Sequence, residues 1–220
     1  MEEQQITQEE IIQKNKERFI SLVRSITRPD AEIDALINKL ENSDFFTAPA
    51  STQYHCSYVG GLCAHSLHVY DQLLKLVSME YNYNIEESEV GVAFPVGGVP
   101  YNRETLIIVA LFHDISKMNF YEIAERNVKD EQGKWTKVPF IKVKEAKDRF
   151  IYSSHGANSE YMIGRFIPLT REESAAIISH MGWSDNQFNA TTVSEIFNRY
   201  SLATLLHTAD VLATFIDEAI

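Results

Sequence analysis

Seven histidines are spread along the chain, at His55, His65, His68, His113, His155, His180 and His207. Imidazole is a proton-transfer group and a strong ligand for divalent transition metals. Five of the seven stand beside helix starts, helix ends or apolar helix faces. One such histidine is ordinarily a satisfied core residue. Several, accompanied by aspartates, are harder to explain as packing, because each buried polar group must find a partner. His113-Asp114 is the densest point of the pattern. The run LIIVALFHDISK is buried by composition and ends in two adjacent metal-ligating residue types. Adjacent helical residues point about 100° apart, so both reach one ion only if it lies between them. An ionised aspartate there is costly without a cation. Asp210 repeats the situation inside LATLLHTADVLATF, an apolar run around a single carboxylate.

The elements that must position these residues read as helices. Thr7 and Glu10 form a capping box before an apolar pattern that predicts a helix to about Ile26, stopped by Pro29. A second helix carries Ile33, Leu36, Ile37 and Leu40. Asn42 to Val59 reads as a loop, and Gly60-Gly61 opens a helix with Leu62, His65, Val69, Leu73 and Leu76. Residues 84–101 read as irregular. Asn102 is the expected N-cap of ETLIIVALFHDISK. From Phe120 to Val143 a period of two around the turn KDEQGK predicts a β-hairpin. Helices are expected again at Asn158–Phe166, from the Thr170/Glu173 box to His180, from Thr192, and from Tyr200 to Ile216. The expected fold class is all-α, a bundle of about seven helices with a small hairpin inserted at about 120–143. Residues 1–44 read as a helical extension packed on a core of 45–220.

His65 in GGLCAHSLHV, His113-Asp114 in LFHDISK and Asp210 in HTADVLATF resemble the ordered H…HD…D signature of the HD-domain superfamily of metal-dependent phosphohydrolases. The resemblance runs from about Phe45 to Ile216 and includes Lys117, three residues after Asp114. APASTQYHCSYVGGLCAHSLHV is also similar to the HD part of bacterial 3′–5′ exoribonucleases. Cys56, Ser57 and Ala64 depart from that pattern. The resemblance implies a first metal held by His65, His113, Asp114 and Asp210. It further implies that His155 and His180 hold a second ion bridged by Asp114, against the plainer reading of two histidines at helix ends. His55 matches a loop histidine near the site, and His207 lies three residues before Asp210; both are candidate substrate or proton-transfer groups. His68 reads as a helix-surface or core residue.

A nitrogen and oxygen donor set without thiolate suits Mn, Fe, Co, Ni or Zn better than Mg. One or two such ions, two by the resemblance, would lower the pKa of a water that attacks phosphorus, with Lys117 stabilising charge on the non-bridging oxygens. Asp114 and Lys117 are therefore the expected catalytic residues. Neither Gly60-Gly61 nor VGGVP forms a phosphate-binding loop of the Lys-Ser/Thr kind. The expected activity is hydrolysis of a phosphomonoester or phosphodiester in a nucleotide or short oligonucleotide. The alternatives are an exoribonuclease-like HD nuclease and, in another class, a non-catalytic module stapled by metal.

The chain has 220 residues and a formal charge of −11. That balance argues against a long polyanionic partner, which requires a basic face. Residues 121–149 depart from it, with six Lys and two Arg against six acidic residues. This stretch reads either as a solvated hairpin or as a flap that draws in phosphate, with Arg126 and Lys129 as its substrate-binding members. No apolar run approaches the ~20 residues of a membrane helix, and MEEQQITQEE does not read as a secretory signal. Cys56 and Cys63 read as two reduced thiols, and the expected location is cytoplasmic.

Overall fold

The computed structural model describes residues 7–81, 94–96, 99–185 and 189–219, with 81, 94–96 and 99–100 described by backbone alone. It is mostly helical. In chain order the elements are α1 (Gln8–Arg24), α2 (Ile33–Glu41), α3 (Gly61–Tyr81), β1 (Phe94–Val96), β2 (Val99–Tyr101), α4 (Arg103–Phe112), β3 (Tyr121–Lys129), β4 (Trp135–Val143), α5 (His155–Gly164), α6 (Arg171–Ser179), α7 (Ala190–Arg199) and α8 (Ser201–Leu212). A π-helical segment, Ala213–Asp217, continues α8. β1 pairs with β2 and β3 with β4, both antiparallel.

Local signals set most of these boundaries. The Thr7 hydroxyl accepts from the Glu10 N–H while the Glu10 carboxylate accepts from the Thr7 N–H, so α1 opens on the expected capping box. Asn102 caps α4 by accepting the Thr105 N–H at 2.9 Å. The Thr170/Glu173 box opens α6. Three expectations are corrected. α5 begins at His155, three residues before the expected start at Asn158, and Ser154 caps it by accepting the Ala157 N–H. Asn189, not Thr192, caps α7. Residues 94–96 and 99–101 form a short antiparallel strand pair within the stretch read as irregular; the parts of that stretch from 84 to 93 and from 97 to 98 lie outside the described residues.

α4 is the central element. Every residue from Glu104 to Phe112 is buried, and the helix packs against α1, α3, α5 and α6. From Leu106 to Phe112 every side chain of the helix is apolar, as befits a helix buried all round. Phe19 of α1 meets Phe45 at 5.0 Å between ring centroids and Phe112 at 5.7 Å. Fully burying one such ring is worth about 2–3 kcal/mol. α1 and α2 contribute Phe19, Val23, Leu36, Ile37 and Leu40 to the same hydrophobic core as α3 and α4.

A buried ion pair fastens the same elements. Arg28, after α1, donates to both oxygens of fully buried Glu173 at 2.7 Å and reaches Glu104 at 3.3 Å. Thr105 adds a hydrogen bond to Glu173 at 2.8 Å. Removing Arg28 would strand two buried carboxylates, a change of the strongly destabilising kind. Burial opposes the Glu173 charge, but Arg28 and the Thr170 N–H outweigh it and hold the carboxyl below its ordinary range.

Candidate metal centre

The chain folds so that six donor residues from five helices converge on one point. His65 lies in the first turns of α3, and Gly61 makes this possible: a Cβ there would stand 1.9 Å from the Cys56 carbonyl oxygen. His113 ends α4. Asp114 follows with φ −111° and ψ 14°, outside helical geometry, before a 3₁₀ turn over Ile115–Lys117. This corrects the expected unbroken helix. Because the backbone turns after His113, the two side chains need not diverge by 100°, and His113 Nε2 lies 3.6 Å from Asp114 Oδ2. His155 opens α5 and His180 ends α6. Gly156 brings them together, since its missing Cβ would stand 2.2 Å from the Ile178 carbonyl oxygen. Asp210 projects from α8 and reaches His65 Nε2 at 3.2 Å.

The hydrogen bonds on the far side of each ring fix its tautomer. His113 Nδ1 donates to the Ala110 carbonyl at 2.8 Å, and His180 Nδ1 donates to the Ile177 carbonyl at 2.7 Å. His65 Nδ1 faces the Glu218 carboxylate at 3.1 Å. His155 Nδ1 donates to Ser116 Oγ at 2.9 Å, while the Ser116 hydroxyl donates to the His155 carbonyl at 3.2 Å. Each ring in its neutral form therefore turns a bare Nε2 lone pair inward.

What these lone pairs face is another set of acceptors. His65 Nε2 and His113 Nε2 are 3.3 Å apart. Asp114 Oδ2 lies 3.7 Å from His65 Nε2. Asp114 Oδ1 touches His155 Nε2 and lies 3.4 Å from His180 Nε2. Buried His180 Nε2 has no hydrogen-bond partner among the described residues. Ligand atoms of His65, His113 and Asp114, of His113, His180 and Asp210, and of Asp114, His155 and His180 each lie within 4.8 Å of one another. Such convergence of acceptors calls for positive charge at its centre. The donor set fits divalent cations of the imidazole-preferring kind.

Without a cation, protons and Lys117 supply that charge. Burial opposes the charge on His65, yet Asp210 and Glu218 outweigh it and push its pKa up to about 9. His180 is likewise raised against burial by Asp114 and Asp210. Burial dominates at His113 and lowers it to about 4. Asp114 is held well below the usual carboxylate range, against burial, by Lys117, His113 and His155. Lys117 Nζ lies 2.6 Å from Asp114 Oδ2.

A cavity of about 740 Å³ opens over this centre. Asp114, His180 and Asp210 lie in its floor, and Lys117, His55 and His207 stand in its wall. The His55 ring is 4.8 Å from that of His65, and its Nε2 has no partner among the described residues. His207 Nδ1 donates to the His180 carbonyl at 2.7 Å and packs on Trp183 and Phe197. Arg126 and Lys129 are not brought to this cavity. Both are exposed on β3, paired in register with Val138 and Trp135. Arg126 covers the Phe140 ring and Lys129 the Trp135 ring. Cys56 and Cys63 are buried free thiols, raised to about 12 by burial.

Three contributors were not visible in the sequence. Glu218 holds His65 and also accepts from His68 Nδ1 at 2.7 Å, which gives His68 a partner 150 residues away. Ser116 and Ser159 set the His155 tautomer through a hydroxyl chain of 3.0 Å. Glu218 stands alone at a helix end, and nothing in its spacing connects it to His65.

No protein-family model, curated protein or solved structure matches this chain. Among the described residues, no helix is long and apolar enough to cross a membrane.

Proposed function

We propose that the chain is a metal-dependent phosphohydrolase of the HD-domain kind, acting on a phosphate ester in a nucleotide or short oligonucleotide. The observation that carries this reading is the meeting of four inward-facing Nε2 atoms with the Asp114 and Asp210 carboxylates at the floor of an open cavity. His65, His113, Asp114 and Asp210 would hold one divalent cation, and His155 and His180 a second, with Asp114 offering one oxygen to each group. Cations bound there supply Lewis acidity and lower the pKa of water.

The chain's own groups do the rest. Glu218, the Ala110 and Ile177 carbonyls and Ser116 hold the Nδ1 side of the four rings and keep Nε2 aimed at the centre. Lys117, on the cavity wall, places an ammonium where a phosphate oxygen would develop charge. His55 and His207 line the same space and supply imidazoles to orient substrate or move a proton. The cavity is within the range that takes a small organic ligand, and the charge of −11 favours a nucleotide or short oligonucleotide over a long polyanion.

The test is hydrolysis of bis-p-nitrophenyl phosphate and a panel of nucleotides by the purified chain with Mn²⁺. Turnover that disappears with chelator and with Asp114→Ala supports the reading. Metal bound in stoichiometric amount without turnover on any substrate would favour the stapled, non-catalytic module instead.

A further inference from the structure

A second cavity, of about 550 Å³, adjoins the segment that carries Asp114 and Lys117. Ile115, Met118 and Asn119 form its floor, and it shares no residue with the lining of the first cavity. Its wall combines three cations, Lys39, Arg149 and Arg165, with the rings of Phe150 and Tyr161.

The cations stand without carboxylate partners. Among the described residues, none of the three forms an ion pair, although the chain carries 31 acidic residues. Arg165 donates only to the Tyr161 hydroxyl, at 3.3 Å. Arg149 lies over the Phe120 ring at 4.9 Å, and its buried Nε has no hydrogen-bond partner among the described residues. Asp148 is the one acidic residue in the lining, which leaves the cavity net positive on a strongly acidic protein. Three unpaired cations at one cavity are a standing attraction for an anion.

The aromatic wall adds a second requirement. Phe150 lies nearly parallel to Tyr161, at 16° and 5.7 Å, and Tyr152 stacks on Tyr161 at 4.8 Å. Phe150 remains 40 % exposed. Flat, exposed rings beside arginines stack planar bases while the cations take phosphate. The cavity volume is in the range of small-ligand sites.

We propose that this cavity is a second binding site, for a nucleoside phosphate, whose phosphate sits among Lys39, Arg149 and Arg165 and whose base packs against Phe150. It stands whether or not the cavity at Asp114 hydrolyses anything. The ligand is either a free nucleotide or one unit of a short single strand, since both present the same phosphate and base.

The full chain carrying Asp114→Asn, which removes hydrolysis as a complication, is titrated calorimetrically with AMP, ribose 5-phosphate and a four-nucleotide oligoadenylate. AMP should bind, and the exposed double charge reversal Lys39→Glu/Arg165→Glu should weaken it by about tenfold or more. Phe150→Ala should weaken AMP but leave ribose 5-phosphate unchanged. Tighter binding of the oligoadenylate than of AMP would identify a strand, and equal binding a free nucleotide. Absence of AMP binding, or binding untouched by both the charge reversal and Phe150→Ala, would overturn the proposal. Circular dichroism of each variant separates lost binding from lost fold.

Discussion

His180 Nε2 lies 3.4 Å from Asp114 Oδ1, and neither atom has a proton to share when the ring is neutral. The His180 Nδ1 proton is already given to the Ile177 carbonyl. A buried lone pair facing a buried carboxylate oxygen is unfavourable unless a cation or a proton stands with them. The same relationship recurs at His65, His113 and His155, and it has measurable consequences.

The metal-free protein should show a stability maximum near neutral pH. The folded pKa of His65, about 9, lies above its ordinary value of 6.5. Its protonation therefore contributes fully below pH 6.5, and the contribution is lost as pH rises through 9. The shift corresponds to roughly 3 kcal/mol. His113 is lowered to about 4, so stability rises with pH between 4 and 6.5. A divalent metal bound at His65 would replace its proton, so thermal melts with saturating Mn²⁺ should lose much of the decline between pH 6.5 and 9. An alkaline limb unchanged by metal would mean that the cation does not reach His65.

Glu218→Gln should weaken divalent metal binding by roughly 10–100-fold, the usual cost of losing a partner that orients a ligating histidine. A glutamine has one acceptor oxygen where the carboxylate serves both His65 and His68. Competition against a chelating dye measures this directly. Unchanged affinity would reduce Glu218 to an anchor for the C-terminal segment.

Gly156→Ala tests the approach of α5 to α6. The new Cβ would stand 2.2 Å from the Ile178 oxygen, so the helices must separate and carry His155 away from His180. The expected result is destabilisation of about 1–3 kcal/mol with loss of one bound metal per chain, read by thermal melting and metal analysis. Full metal content would show that His155 is dispensable.

Lys117→Ala should leave metal content near the wild-type value while turnover falls by roughly 10²–10³, as for loss of one charge-stabilising donor. Equal turnover would leave Lys117 as a counter-ion of Asp114 and nothing more.

Much of this site was legible because its residues are chemically out of place. Aspartates in the apolar runs around His113 and Asp210, and histidines at helix ends, are visible without coordinates, and all six expected donors meet. The capping boxes at Thr7 and Thr170 were equally readable, since both partners lie three residues apart. What depends on distant partners was not. Glu218 serves His65 across 153 residues, and the hydroxyl chain through Ser116 and Ser159 joins two segments that only packing brings together. The bend after His113 was missed because apolar composition continues through Ile115, while the backbone turns to aim Asp114. The basic balance of residues 121–149 was real, but the hairpin satisfies Lys137 with Glu125 and Lys142 with Glu122, and Arg126 and Lys129 cover rings rather than the cavity.

The most direct test of the central claim is the metal content of the chain by inductively coupled plasma mass spectrometry, after stripping with chelator, reloading with Mn²⁺ and dialysis. Two converging donor sets sharing Asp114 predict about two divalent ions per chain and essentially none in Asp114→Ala. One ion per chain would remove the second set of His155 and His180. No retained metal in the wild-type chain, or full metal in Asp114→Ala, would contradict the account.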